Sequence, residues 1–353
     1  MTASMTRDRL LFRIVIAVVL ASGAAIPAHA QEWDTIPQHP GSHDVPNDTL
    51  GVYADGSTIY AATDSGGLIV FTNNGTNWTT YTTVSGLASN SVRGVYAAGS
   101  TIYAATQGGL SVSTNSGTNW TNYTTEHGLG ANFVNGVYAA GSTIYAATNG
   151  GGLSVSTNNG ANWTNYTTGS GLGNNNVPGV YASGSTLYAA TGGGLSVSTN
   201  NATTWTNYTT GSGLGNDTVY GVYAAGSAIY AATGGGLSIS TNNGTTWTNY
   251  TTGSGLGNDT VYGVYAAGST IYAATQGGLS VSTNNGANWT NYTTVSGLAS
   301  NSVRGVYAAG STIYAATESG LSVGVVPEPS TSCMALAGIA YGGFLMWRRR
   351  KRA

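Results

Sequence analysis

The chain has 353 residues, of which 22 are charged, 54 are Gly and 23 are Tyr. Charged residues make up 6% of it, against about 25% in an ordinary soluble domain. With 41% hydrophobic and 10% aromatic residues, the composition predicts a packed fold and excludes disorder driven by charge excess. Between residues 31 and 325 only Arg93 and Arg304 oppose ten acids, a balance of −8 that excludes nucleic acid as a partner. The single Cys, Cys333, excludes an internal disulfide.

Both ends read as addresses. Basic Arg7, Arg9 and Arg13, the apolar run from Ile14 to Leu20 and the small residues ending Ala28-His29-Ala30 have the three-part order of a secretory signal. Export with cleavage between Ala30 and Gln31 is expected. At the other end, Ser330 to Trp347 is an uncharged stretch of 18 residues, just long enough to cross a bilayer as a helix at about 1.5 Å per residue. The basic cluster Arg348-Arg349-Arg350-Lys351-Arg352 follows it and would stay on the cytoplasmic side, leaving the preceding domain outside.

Immediately upstream stands Pro327-Glu328-Pro329. This order of Pro-Glu-Pro, apolar helix and terminal basic cluster resembles the PEP-CTERM sorting signal of Gram-negative bacteria. The resemblance implies processing by an exosortase, an inner-membrane transpeptidase-like enzyme. It also implies transient membrane residence through the tail helix and delivery to the cell surface or an extracellular polysaccharide matrix. The Cys of that chemistry belongs to the enzyme, so Cys333 reads as a small apolar residue of the tail.

Between the addresses one unit recurs. Gly-Val-Tyr-Ala begins at residues 51, 94, 136, 179, 221, 263 and 305, a period of 42 or 43. Each unit carries four β-type runs; in the fifth they are Gly221 to Ala224, Ala228 to Thr233, Leu237 to Ser240 and Trp247 to Thr252. The separators Ala225-Gly226-Ser227, Gly234-Gly235-Gly236 and Asn242-Asn243-Gly244 are turn sequences, and Asn and Gly adopt positive φ at little cost. Four antiparallel strands per unit predict a propeller blade. The expected fold is all-β, a seven-bladed β-propeller over residues 31–325, between a signal peptide at 1–30 and a sorting tail at 326–353.

The seventh unit stops after Leu321-Ser322-Val323, without a Trp strand. Trp33-Asp34-Thr35-Ile36 lies 18 residues before Gly51, where Trp205 lies 16 before Gly221. It is therefore expected to complete the last blade and close the ring, which removes both free sheet edges. An open solenoid would leave this segment without a role and would need capping repeats.

Two repeat families share these residues. Ser240-Thr241-Asn242-Asn243-Gly244-Thr245-Thr246-Trp247 resembles the Asp-box of sialidase-type propellers with Asn in the Asp position; blade 1 has Phe71 for the Ser and blade 4 has Ala202 for the Gly. Gly86-Leu87-Ala88-Ser89-Asn90-Ser91-Val92, followed by Gly94-Val95-Tyr96 and Gly108-Gly109-Leu110, resembles the two-component-regulator propeller of sensor ectodomains. Both resemblances imply fold and carry little about function.

Candidate chemistry is sparse. A sialidase needs three Arg around the substrate carboxylate, and only Arg93 and Arg304 lie outside the two ends. Other glycosidases need two carboxylates about 5 to 9.5 Å apart. Asp217 and Asp259 are candidates, yet at their position other blades carry Asn90, Asn132, Asn175 and Asn301, which favours a turn-closing role. His39, His43, His127 and Asp44 lack metal-ligand spacing, and the Gly runs precede strands rather than helices, so neither a metal nor a phosphate cofactor is expected. The 20 repeated Tyr read as packing between blades.

Comparison among blades singles out two variable positions. Before Gly-Val-Tyr stand Leu50, Arg93, Asn135, Pro178, Tyr220, Tyr262 and Arg304; after the second strand stand Asp64, Gln107, Asn149, Gly192, Gly234, Gln276 and Glu318. In an up-and-down blade both lie on one face beside the channel, where a ligand would be met. Arg93, Arg304, Tyr220, Tyr262 and Asn135 are the candidate binding residues. The expected function is that of an exported, surface-sorted structural or binding module for extracellular polysaccharide, the alternatives being a divergent glycoside hydrolase and a ligand-sensing propeller.

Overall fold

A computed structural model of the chain describes residues 33–35, 48–72 and 77–325. They form seven four-stranded antiparallel sheets. Blade 1 comprises Thr49–Asp55, Thr58–Thr63, Leu68–Thr72 and Asn77–Tyr81. Blade 7 comprises Val303–Ala309, Thr312–Thr317 and Gly320–Val325, and its fourth strand is Trp33–Thr35. That strand runs antiparallel to the third, with Trp33 opposite Gly324 and Thr35 opposite Ser322, as the Trp spacing predicts. The first strand of blade 1 packs against those of blades 2 and 7, so the ring is closed.

The strand sequences explain the packing. Along the second strand of blade 1, Tyr60 and Ala62 point into the interface with blade 2, while Ile59 and Ala61 point into the interface with blade 7. Both faces of each sheet are therefore apolar, unlike a sheet with one wet side. Between blades 1 and 2, Tyr60, Leu68 and Val70 meet Leu87, Val92 and Ile102. Equivalent clusters fill the other six interfaces. At the outer edge a Tyr of one blade meets the Trp of the next edge-on, as Tyr123 meets Trp163 with centroids 5.6 Å apart; Tyr292 meets Trp33 in the same way at 5.7 Å.

One element departs from the sequence reading. The fourth β-run of blade 5 is a strand only over Thr248–Tyr250, and Thr252–Ser254 turns into a short 3-10 helix. Side-chain oxygens draw the backbone out of the ladder: the Thr251 N–H donates to Ser254 Oγ and the Thr252 N–H to Asp259 Oδ1.

The turns of each blade divide between two faces. On the turn face, the first and third turns are tied together: Asn243 N–H donates to the Ser227 carbonyl at 2.9 Å and Ser227 Oγ to the Thr241 carbonyl at 2.8 Å. On the opposite or rim face, the second turn is tied to the start of the first strand, as Gly234 N–H donates to the Thr218 carbonyl at 3.1 Å. Among the described residues no helix is long and apolar enough to cross a membrane. The cleavage pair Ala30 and Gln31, the motif Pro327, Glu328 and Pro329, and Arg348, Arg349 and Arg350 lie outside the described residues.

Candidate functional site

The first of the two variable positions has a backbone cause. In blade 2 the pairing register steps between Val92 and Gly94, so Arg93 is an extra residue bulged out of the ladder. Leu50, Asn135, Tyr220, Tyr262 and Arg304 occupy the same bulge in their blades. Blade 4 has Pro178 there, and its first strand starts at Gly179 without a step. A bulged residue has no cross-strand partner to satisfy, so its side chain varies without disturbing the sheet.

These bulges set the rim residues in an arc. Tyr220 and Tyr262 pack with centroids 5.5 Å apart, and the Arg304 guanidinium lies 4.5 Å from the Tyr262 ring centre, within cation–π range. Arg304 is also ion-paired with Glu318 of its own second turn. On the far side of blade 1, Arg93 Nη1 stands 3.5 Å from Asp64 Oδ1, which also accepts from Ser91 Oγ at 2.9 Å. The Arg93 guanidinium lies 5.4 Å from the centre of Phe133. Asn135 stands apart from both groups: its Nδ2 donates to the Val177 carbonyl at 3.0 Å, joining blades 3 and 4.

Between the two arginines lies Asp48, which the sequence reading did not single out. Partial burial pushes its carboxyl above the ordinary 3.8; Arg304 draws it back, while Asp64 and Glu318 push it further up. Asp48 Oδ1, Ser302 Oγ and Arg304 Nε are buried polar atoms without a hydrogen-bond partner. Asp48 and Ser302 hold the same register position in adjacent blades, so all three atoms belong to the rim of blades 7 and 1. A signal for this column was present: Asp48, Ser91, Phe133, Asn176, Thr218, Thr260 and Ser302 differ from blade to blade as much as the bulge residues do.

The channel itself is lined by small side chains and exposed backbone. A cavity of about 270 Å³ is lined by first-strand Gly and Val residues, Gly51, Val52, Gly221 and Val222 among them. Farther along the first strands toward the turn face, Tyr53, Tyr96, Tyr138, Tyr181, Tyr223, Tyr265 and Tyr307 form a closed collar with neighbouring centroids 4.9 to 5.1 Å apart. Burial pushes the Tyr307 phenol up to about 12, and those of Tyr53 and Tyr181 upward as well, so these three stay protonated at any physiological pH.

Asp217 and Asp259 do not face the arc as an acid pair. Each carboxylate accepts from a backbone N–H seven residues earlier, Thr210 or Thr252, at 2.7 Å. Asn90, Asn132, Asn175 and Asn301 accept from the equivalent N–H groups at 2.7 to 2.8 Å. Among the described residues no cluster of three His, Cys, Asp or Glu side chains has metal-holding geometry. His39, His43 and Asp44 lie outside them.

Comparison with known proteins places this architecture. Residues 33–172 match the DUF6242 β-propeller domain, and residues 325–351 match the PEP-CTERM protein-sorting motif. The chain is thus a seven-bladed β-propeller carrying a PEP-CTERM sorting motif at its C-terminus. Such motifs indicate export and surface sorting in Gram-negative bacteria and imply processing by exosortase. No curated protein matches the sequence.

Among solved structures, the fold is similar to the extracellular domain of a hybrid two-component system from B. thetaiotaomicron, at 19% identity and TM-score 0.61, covering 80% of this chain and 40% of that one. It is similar to YCF48 from Cyanidioschyzon merolae at 15% identity and TM-score 0.59, covering 84% and 99%. A GH74 enzyme from Niastella koreensis matches at 22% identity and TM-score 0.57, covering 78% and 43%. The chain spans about two fifths of the length of the first solved structures it matches.

Proposed function

We propose that the protein is exported with removal of its signal peptide after Ala30 and handed by an exosortase-like enzyme to the cell surface or extracellular matrix. There the rim arc from Tyr220 through Tyr262 and Arg304 to Arg93 binds polysaccharide. The observation that carries this reading is the set of three unpartnered polar atoms on the rim of blades 7 and 1, Asp48 Oδ1, Ser302 Oγ and Arg304 Nε. A buried polar atom without a partner costs about 1 to 3 kcal/mol. The set combines an acceptor, a hydroxyl and a donor, which suits sugar hydroxyls that both give and take a hydrogen bond. Tyr220 and Tyr262 beside it offer apolar ring faces for sugar C–H groups.

The turns between third and fourth strands support an architectural reading of the Asp-box resemblance. Asn242 Oδ1 accepts from the Thr246 N–H at 2.9 Å and Ser240 Oγ from the Gly244 N–H at 2.8 Å, so both side chains are committed to the turn. The test is a glycan array, uronic-acid polymers included, with the parent, Tyr220→Ala/Tyr262→Ala and Arg93→Ala/Arg304→Ala. Binding by the parent that weakens tenfold or more in both double variants is expected, since charge-assisted bonds contribute about 1.5 to 3 kcal/mol each. Failure of the parent to bind any glycan, or equal affinity in all three proteins, ends the reading.

The glycoside-hydrolase alternative draws on one observation. Asp48, its carboxyl raised, stands in the field of Asp64 and Glu318, the kind of environment that separates an acid from a base. Release of reducing sugar by the parent, abolished in Asp48→Asn, would establish it.

A further inference from the structure

We propose that the propeller is displayed in one orientation, with the turn face toward the surface that holds it and the rim face presented outward. The inference rests on the surface-sorting reading above and adds the direction in which the domain points.

The topology carries it. First and third strands run from the rim face to the turn face, and second strands run back. In blade 7 the third strand, Gly320–Val325, ends opposite Thr312, the first residue of the second strand, just past the turn at Gly310-Ser311. The chain therefore leaves the propeller at the turn face, and Val325 is 56% exposed there. The sorting motif begins at residue 325, so no linker intervenes between the last strand and the segment the sorting enzyme reads. A domain joined without a spacer has little freedom to turn over.

The distribution of sequence variation agrees. The first turns on the turn face are nearly uniform: Ala-Gly-Ser in blades 2, 3, 5, 6 and 7, Ser183-Gly184-Ser185 in blade 4 and Asp55-Gly56-Ser57 in blade 1. The arginines, the rim tyrosines and the unpartnered atoms of Asp48, Ser302 and Arg304 lie on the opposite face. A face held against a surface has no ligand to discriminate, whereas the face turned to the medium does.

Blade 6 supplies exposed positions for a test: Gln276 in the second turn on the rim face, Ala267 at the end of the first strand on the turn face, and Thr290 on the outer strand. In the full-length chain carrying Cys333→Ser, each is replaced singly by Cys and expressed in an exosortase-bearing Gram-negative host. Intact cells are treated with a maleimide coupled to a large dextran. Labelling of Gln276→Cys comparable to Thr290→Cys, and at least fivefold above Ala267→Cys, is expected; in denatured extracts all three label equally. If Ala267→Cys labels as well as or better than Gln276→Cys on cells, the orientation is wrong while display stands. If Thr290→Cys is unlabelled on intact cells but labelled in extracts, surface display fails and the orientation with it.

Discussion

Position 202 shows how much one side chain decides in a repeat protein. Other blades place Gly117, Gly160, Gly244 and Gly286 here, with φ between 86° and 90°; Ala202 is forced to φ 65°. An L residue in the left-handed region costs about 1 to 2 kcal/mol, of which glycine's larger unfolded-state entropy would return roughly half. The methyl group also faces the outer Tyr of the preceding blade, and Tyr166 to Trp205 is 6.1 Å where the equivalent pairs are 5.5 to 5.7 Å. Ala202→Gly should raise stability by about 0.5 to 1 kcal/mol, measured by denaturant unfolding; an unchanged or lower midpoint would show that the site relaxes around the methyl. The substitution itself was legible in the sequence. Its consequence was not, because Tyr166 is 36 residues away and meets Ala202 only through blade stacking.

At the scale of the element, the short 3-10 helix after the fourth strand in blades 1 to 6 and the bulge in every first strand but that of blade 4 were hidden for a common reason. Both arise where a backbone group leaves the β-ladder, and β-type composition continues straight through them. Thr251-Thr252 reads as strand until the Asp259 carboxylate is seen to hold the Thr252 N–H. The same geometry settles which carboxylates are structural. Asp217→Asn keeps the acceptor that four other blades obtain from Asn, so it should leave stability unchanged to within about 0.5 kcal/mol. Asp217→Ala removes the acceptor of the exposed Thr210 N–H and should cost about 0.5 to 1.5 kcal/mol in thermal or denaturant melts. A large loss in Asp217→Asn would mean that the charge itself matters. Likewise the two variable columns were legible by comparing blades, but the pairing of Arg93 with Asp64 across blades and of Arg304 with Glu318 within one was not, since either acid was open to either arginine until the bulges aimed them.

At the scale of the molecule, ring closure was legible because the missing Trp of the last blade and the extra Trp before the first were both countable. How tightly the ring closes depends on the innermost glycines, which no count could show. A Cβ on Gly221 would stand 3.0 Å from the Tyr262 carbonyl oxygen and 3.5 Å from Gly263 Cα, and each first strand meets its neighbour in the same way. Seven near-identical contacts tolerate little adjustment, so the ring depends on the strand that closes it. Trp33 is 8% exposed, packs edge-on against Tyr292 and covers Gly324. Deleting residues 31–36 removes this anchor and uncovers the edge of Gly320–Val325. Loss of a buried Trp alone costs about 3 to 5 kcal/mol, and an open edge invites pairing with another chain. The truncated propeller should therefore unfold at distinctly lower denaturant concentration and self-associate in sedimentation velocity. A truncated protein that melts with the parent and remains monomeric would mean that three inner strands suffice to hold blade 7 in the ring, with Trp33–Thr35 serving only as its cover.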